Sequence, residues 1–306
     1  MQRRFLDYFI LSLKGIAMGA ADAVPGVSGG TIAFISGIYE ELITTISNVN
    51  LSLITTLRKE GFKAFWTQLN GNFLVALLTG IVISFVSFMR LAKYLIENHP
   101  ILIWSFFFGL IVASIFFVGK QIQKWNLAVI ISLIAGALIA YYITTLPSMA
   151  NNDNPLFLFF AGAIAICAMI LPGISGSFIL VILGAYKTLS DALHDFDIKK
   201  ILIFAVGAVV GLLSFSRVLK WLFKNYHNIT LAILTGFIFG SLNKIWPWKK
   251  VLTWRTNSKG EQIPLLEESI SPFNFDGDPK LAIAIVLMIV GFSTIFILEK
   301  LGSKKQ

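Results

Sequence analysis

Long runs of apolar residues, separated by short polar segments, dominate the chain. Five runs are about as long as a bilayer crossing requires, which is about 20 residues. They are Phe73 to Ile96, Ile101 to Val118, Leu127 to Thr145, Ile201 to Phe223 and Leu281 to Leu298. Hydrophobic residues make up 56% of the 306 residues, more than a soluble domain of this length can bury. The pattern predicts an all-α, multi-spanning membrane protein.

Two further apolar stretches, Phe9 to Ser47 and Leu156 to Leu189, are each broken near the middle by proline and glycine. The breaks read "AVPGVSGG" (Ala23 to Gly30, here called tip one) and "LPGISGS" (Leu171 to Ser177, tip two). Each arm has about 15 residues, which is short for a full crossing. We therefore predict re-entrant hairpins that enter and leave the membrane on one side. Two ordinary kinked spans are the alternative.

The chain is a tandem duplication. A shift of 147 residues pairs Pro25-Gly26 with Pro172-Gly173 and Ser28-Gly29 with Ser175-Gly176. A shift of 127 aligns "SFMRLAKYLI" with "SFSRVLKWLF" farther along. Two matching blocks in the same order predict one transport domain, 1–306, built from repeat one (1–150) and repeat two (151–306). Each repeat would hold one hairpin followed by three transmembrane helices, with a polar loop over 247–280.

A re-entrant hairpin leaves an odd number of crossings per repeat, so the two repeats are predicted to lie inverted in the membrane. Most basic residues then fall on the cytoplasmic side together with both termini, as the positive-inside rule requires. The linker "PSMANNDNP" has no Lys or Arg and would lie outside. Lys199, Lys200 and the basic residues of 247–280 argue against this arrangement, because they also fall outside.

Charge and cysteine content remove several functional classes. The net charge of +9 is explained by basic residues that flank spans, so no nucleic-acid partner is predicted. The single Cys167 excludes an intrachain disulfide. His99, His194 and His227 are scattered without ligand spacing. We therefore predict no metal site and no cofactor.

The tips are the candidate binding site. Proline and glycine end one half-helix, and the first N–H groups of the next have no intrahelical partner, which favours anions. Irregular backbone at membrane depth must also be buried in protein or line a polar cavity, so the tips should face each other. The candidate residues are Pro25, Gly26, Ser28, Gly29, Gly30, Thr31, Pro172, Gly173, Ser175, Gly176 and Ser177. The alternative is that these small residues serve only close helix packing.

Arg90 and Arg217 hold equivalent places, each three residues after a serine on a predicted span. A buried arginine is costly in a membrane and needs an anionic partner, so both are candidate phosphate ligands. The alternative is snorkelling to the membrane surface, which we assign to Lys93 and Lys220, one turn nearer the span end.

Three acidic residues of repeat one have no acidic counterpart in repeat two. They are Asp22, Glu40 and Glu41. They are candidates for binding a coupling proton or cation. Alternatively, Asp22 pairs with an arginine, and the two glutamates only mark a solvated end of the hairpin.

The tips resemble those of the PopT-type polyprenyl-phosphate transporters, formerly a domain of unknown function. The likeness is carried by "KGIAMGAADAVPGVSGGTIAFISGIYEEL" and "LPGISGSFILVILGAYKTL" and extends over most of the chain. The resemblance implies a multi-pass carrier in the bacterial cytoplasmic membrane. Its partners would be a polyprenyl phosphate and the surrounding lipids, and it would return undecaprenyl phosphate from the outer to the inner leaflet for cell-wall precursor recycling. The residues alone predict an anion-binding, inverted-repeat transporter.

Two rival functions stay open at this stage. A small-anion channel or exchanger would use half-helix tips in the same way. A lipid phosphatase would need a histidine nucleophile with a nearby acid, or a carboxylate cluster that binds metal. The nearest candidate is His194 with Asp191, Asp195 and Asp197. A solvated loop explains these residues as well, and we predict that the protein is not an enzyme.

Overall fold

A computed structural model describes residues 4–22, 28–50, 52–146, 154–256 and 262–303. This part of the chain is mostly helical, with one pair of strands. In chain order the elements are α1 (Phe5–Asp22), α2 (Gly29–Ile35), α3 (Tyr39–Ser47), α4 (Ser52–Glu60), α5 (Phe62–Gln68), α6 (Gly71–Asn98), α7 (Pro100–Gly119), α8 (Leu127–Thr145), α9 (Pro155–Ile170), α10 (Gly176–Ile182), α11 (Ala185–His194), α12 (Ile198–Asn225), α13 (His227–Gly240), β1 (Lys249–Thr256), β2 (Gln262–Ser269) and α14 (Leu281–Ser303). Short 3₁₀ turns lie at Ser241–Ile245 and Pro272–Asn274.

Each predicted hairpin has a long first helix and a short return helix. α1 and α2 form the first, and α9 and α10 the second. Both return helices have seven residues, a length of about 10 Å against about 30 Å of hydrocarbon core. The chain then turns at Gly37 or Gly184, both at φ +72°, a conformation that glycine adopts without strain. The return helices are too short to cross a bilayer by themselves.

The helices present the surface of a membrane protein. Among the described residues, four segments are long and apolar enough to cross a bilayer: α7, α8, α12, and α13 with its 3₁₀ turn. The number rises to six if the bent pairs α5–α6 (63°) and α10–α11 (112°) each count as one span. Large apolar side chains on these and neighbouring helices are exposed, such as Leu138 at 63%, Val82 at 60% and Ile289 at 60%. A lipid environment explains this exposure, so the fold is that of a mostly helical membrane protein.

Helices related by the duplication pack in equivalent pairs. α1 lies against α6 as α9 lies against α12, and α7 against α14 as α13 against α8. The closest approaches are equivalent too. A side chain at Gly80 would meet the Ser12 carbonyl, and one at Gly207 would meet the carbonyl of Phe159. The duplication seen in the sequence therefore also governs the packing, and the pairs α7–α14 and α8–α13 join the two repeats.

The segment 247–280 was predicted to be a polar loop, and this prediction was wrong in part. β1 and β2 form an antiparallel hairpin, with Lys249 opposite Ser269 and Lys250 opposite Glu268. Before it lies Trp248, which is 2% exposed and whose indole N–H donates to the Pro279 carbonyl at 2.9 Å. The strands hold β-branched and aromatic residues, and the charged residues among them hid this pattern. A folded β-hairpin thus sits on repeat two.

Candidate functional site

The described end of tip one, Ser28 to Gly30, packs against the second hairpin at tip two, as the sequence predicts. The Ser28 hydroxyl is buried and donates to backbone carbonyls of the other repeat, Met169 at 3.3 Å and Leu171 at 3.5 Å. The Ser28 oxygen also accepts from the Gly30 N–H at 3.1 Å and caps α2. In the reverse direction, the Gly173 N–H donates to the buried Thr31 hydroxyl at 2.9 Å.

Gly30 allows the close approach of the tips, and Gly173 allows tip two to pack on α13. A Cβ at Gly30 would lie 2.6 Å from the Ile170 carbonyl oxygen. Gly173 has φ +87°, and a Cβ there would lie 2.8 Å from the carbonyl oxygen of Phe237. No larger residue fits either position without displacing backbone. Pro172 is buried at the same turn, while Pro25 and Gly26 lie outside the described residues.

Asp22 organises the start of the first return helix. Its Oδ1 accepts from the Gly29 N–H at 2.7 Å, so a carboxylate occupies one of the free donors that α2 begins with. Gly29 is needed there because a Cβ would collide with this carboxylate. Gly176, the equivalent glycine of tip two, would instead place a Cβ 3.2 Å from Met169 Cβ. Asp22 therefore gives tip one a carboxylate that tip two lacks, because Met169 holds the equivalent position.

Tip two borders a small, partly enclosed cleft, here called the tip-two cleft. Its lining consists of Gly173, Ile174, Ser175, Phe178, Lys244 and, from the end of α8, Ala140, Ile143 and Thr144. Ser175 and Ser177 share a hydrogen bond at 2.9 Å in an exposed position. The wall from α8 adjoins Tyr141 and Tyr142, which are 51% and 64% exposed on the apolar surface. The cleft therefore combines hydroxyl donors and an ammonium group at the edge of the lipid-facing surface.

Lys244 belongs to a small charged cluster that the sequence analysis did not find. Its Nζ lies 4.7 Å from the centre of the Phe178 ring and 3.5 Å from Glu267 Oε2 on β2. Lys249 Nζ lies 3.6 Å from the same carboxylate oxygen and donates to the Lys244 carbonyl at 2.6 Å. Burial lowers the pKa of Lys249 to about 8, although Glu267 opposes the shift.

The predicted arginines lie elsewhere. The Arg217 guanidinium, on α12, donates from Nη2 to the Val49 carbonyl at 3.0 Å, just beyond the end of α3. One turn later Lys220 donates to Asn48 Oδ1 at 3.0 Å. Arg90 lies on α6, and its side chain is outside the described part of the structure. In this conformation Arg217 therefore joins repeat two to the helix that follows the first hairpin.

The two glutamates after the first hairpin have partners. Glu40 lies 3.2 Å from His227 Nε2 at the start of α13. Glu41 accepts from the Asn70 side-chain amide at 3.1 Å. Both contacts tie α3 to neighbouring helices, so these residues differ from Asp22, which bonds at a tip.

Comparison with known proteins identifies the family. Residues 18–263 match the family described as undecaprenyl phosphate translocase-like. The chain belongs to this family. A polyprenyl-phosphate transporter from Vibrio cholerae is 46% identical over 99% of this chain and the whole of the relative. Another from Staphylococcus aureus is 32% identical over 77% of this chain and 85% of the relative. No solved structure matches. The resemblance drawn from the tips is confirmed.

The acidic residues after the second hairpin have structural roles. Asp191 lies 3.9 Å from Lys187 one turn earlier, and Asp197 caps α12 through the Lys200 N–H at 3.1 Å. Within the described ranges, no group of three or more His, Cys, Asp or Glu side chains is placed to hold a metal ion. Both relatives carry the names of transporters, which favours transport over the phosphatase alternative.

Proposed function

We propose that this protein transports a polyprenyl phosphate across the bacterial cytoplasmic membrane. It returns undecaprenyl phosphate from the outer to the inner leaflet, for reuse in cell-wall precursor synthesis, and it catalyses no chemical step. The observation that carries this proposal is the tip-two cleft, where hydroxyls and Lys244 meet beside the lipid-facing surface. The names of the relatives from Vibrio cholerae and Staphylococcus aureus support the substrate.

The chemistry of the substrate explains why such a cleft is needed. The phosphate head is the part that hydrocarbon excludes, while the isoprenoid tail can stay in lipid throughout transfer. A carrier therefore needs hydroxyl and cationic donors for the phosphate and an opening to the side for the tail. Ser175 and Lys244 supply such donors at the cleft, and Ser177 shares a hydrogen bond with Ser175. The neighbouring wall of α8 leads to the exposed apolar face.

The transport mechanism we propose is alternating access between inverted repeats. Broken helices at the interface of inverted repeats are the common architecture of secondary transporters. The meeting of the tips and the equivalent helix pairs support this arrangement. We propose that both termini lie in the cytoplasm, as the positive-inside rule predicts. Asp22, bonded to tip one, is our preferred residue for a coupling proton or cation, ahead of Glu40 and Glu41.

A reconstitution assay tests the function directly. Purified protein in liposomes should speed the movement of a fluorescent long-chain polyprenyl phosphate between leaflets, and the matching polyprenol without phosphate should move no faster than in protein-free vesicles. Excess chloride should not compete. Halide flux that the lipid phosphate fails to inhibit would instead support the small-anion channel or exchanger.

Cysteine labelling tests the inverted arrangement. With Cys167 replaced by alanine, single cysteines at Asn48 and Asp191 follow equivalent hairpins in the two repeats. Inverted repeats place these positions on opposite sides, so an impermeant maleimide should label one from outside intact cells and the other after the membrane is opened. Labelling of both from the same side would reject the inversion.

Replacing Ser175 with alanine is expected to weaken binding of a polyprenyl phosphate by about 0.5–3 kcal/mol, the range for a lost hydrogen bond. The matched control is Thr145→Val. This exposed hydroxyl donates to the Tyr142 carbonyl at the same end of α8, and Thr145 does not line the cleft. Equal affinity of wild type and Ser175→Ala in a titration would reduce Ser175 to a packing element.

A further inference from the structure

The β-hairpin brings one lysine and one glutamate to Lys244 at the tip-two cleft. Lys244 precedes the hairpin and lines the cleft, Lys249 begins β1, and Glu267 lies on β2. We propose that Lys244, supported by Lys249, binds the phosphate head of the lipid, and that Glu267 is an internal counterion which the phosphate displaces. This inference rests on the proposed function and names the cationic side chain that binds the phosphate.

The position of Glu267 indicates that the cluster accepts an oxyanion. One carboxylate oxygen lies 3.5 Å from Lys244 Nζ and 3.6 Å from Lys249 Nζ, so it bridges the two ammonium groups. A phosphate monoester presents oxygens of the same kind with more negative charge, and so binds such a pair more strongly. The Glu267 side chain is 24% exposed and can turn toward water when it is displaced.

The charge count leaves room for an anion. Two lysines and one glutamate sum to one net positive charge in a partly buried place, where Lys249 has only 10% of its side chain exposed. The rings of Phe178 and Trp104, 4.7 Å and 4.8 Å from Lys244 Nζ and Lys249 Nζ, offset part of this charge, and a bound anion would offset the rest. Burial lowers the pKa of Lys249, and Glu267 offsets only part of this shift. This agrees with a site that has too little negative charge for its two lysines.

The cluster also breaks the symmetry of the duplication. The shift of 127 residues that relates α7 to α13 places Phe117 of repeat one at the position of Lys244. Repeat one therefore has an aromatic residue where repeat two has the ammonium group. We expect the tip-two side of the protein to bind the lipid head more tightly, and the β-hairpin to be the element that sets this difference.

Binding of farnesyl phosphate to the purified full-length protein in detergent tests the inference, with farnesol and inorganic phosphate as comparison ligands. Lys244→Gln should weaken farnesyl phosphate binding about tenfold or more, which corresponds to about 1.4 kcal/mol. Lys244→Arg should keep most of the affinity. Glu267→Gln should tighten binding, because it removes the competing carboxylate, and a misfolded variant would not show such a gain.

The control pair is Lys250→Gln and Glu268→Gln. These residues adjoin the cluster in sequence, face each other across the same strands and are exposed. Neither substitution should alter affinity.

The outcomes separate the two proposals. Unchanged affinity in Lys244→Gln, or a Glu267→Gln variant as weak as Lys244→Gln, would reduce the cluster to a structural ion pair while leaving the function standing. A wild-type protein that does not prefer farnesyl phosphate to farnesol would overturn the function and this inference with it. Equal affinity for inorganic and farnesyl phosphate would assign the cluster to the free anion rather than to the lipid.

Discussion

Replacing Gly30 with alanine is expected to abolish transport of the lipid phosphate. The new Cβ would lie 2.6 Å from the Ile170 carbonyl oxygen and 3.0 Å from that of Met169, so the tips must move apart. Overpacking of this kind costs about 1–3 kcal/mol. The displacement would also weaken the bonds from Ser28 to Met169 and from Gly173 to Thr31, which join the tips. Initial rates of transport in liposomes, normalised to folded protein, measure the effect.

Gly119→Ala is the matched control. Gly119 ends α7 in an open place where a Cβ would meet no atom within 4 Å, so this variant should transport as well as wild type. A normal rate in Gly30→Ala, with the variant monodisperse and correctly inserted, would show that close contact of the tips is not required for transport.

The residues of the tip contact could be predicted from the sequence because each carries its own signal. The repeated Pro-Gly-x-Ser-Gly marks both breaks, and the requirement that irregular backbone be buried places them together. The sequence did not show which groups of the two tips bond to each other. Ser28 was expected to face a ligand, and in this conformation its hydroxyl donates to the carbonyls of the other tip. Such partners are far apart in the chain, at separations of 141 and 143 residues, and local patterns do not encode them.

The residues missed by sequence reasoning lie where repeat two departs from repeat one: Lys244 stands where repeat one has Phe117, and Lys249 and Glu267 belong to the β-hairpin. Lys244 resembles any lysine that flanks a span, so the sequence alone does not single it out. Only the fold shows that it borders the tip-two cleft and that Glu267, 23 positions later, returns to it through the β-hairpin. The duplication predicts the elements that the two repeats share, and it cannot predict the β-hairpin, which repeat one lacks.

Replacing Arg217 with glutamine is expected to remove most transport, whereas Arg217→Lys should retain part of it. Arg217 now donates to the Val49 carbonyl after α3, and it belongs to α12, which packs on the second hairpin through α9. When the repeats change their relative position, we expect the Arg217 guanidinium to leave the Val49 carbonyl. It would then bind the lipid phosphate or the hairpin tip that holds the phosphate. Lysine keeps the charge but loses the planar two-pronged grip on phosphate, so its activity should be intermediate. The same order is expected for Arg90, the equivalent residue of repeat one.

Lys220→Gln separates a functional from a structural role for Arg217. Lys220 lies one turn away on the same helix and contacts the same segment, through Asn48, so its loss weakens the α12 contact without removing the arginine. We expect this variant to transport at a rate close to wild type. If Arg217→Gln and Lys220→Gln reduce both thermal stability and transport to the same extent, the two residues serve the helix contact. If well-folded Arg217→Gln, Arg90→Gln protein transports normally, neither arginine belongs to the phosphate path. Loss of transport in Arg217→Gln at unchanged thermal stability, with partial recovery by lysine, would show that the positive charge acts on the phosphate. A purely structural role would instead lower stability together with transport, because the variant loses the contact with Val49.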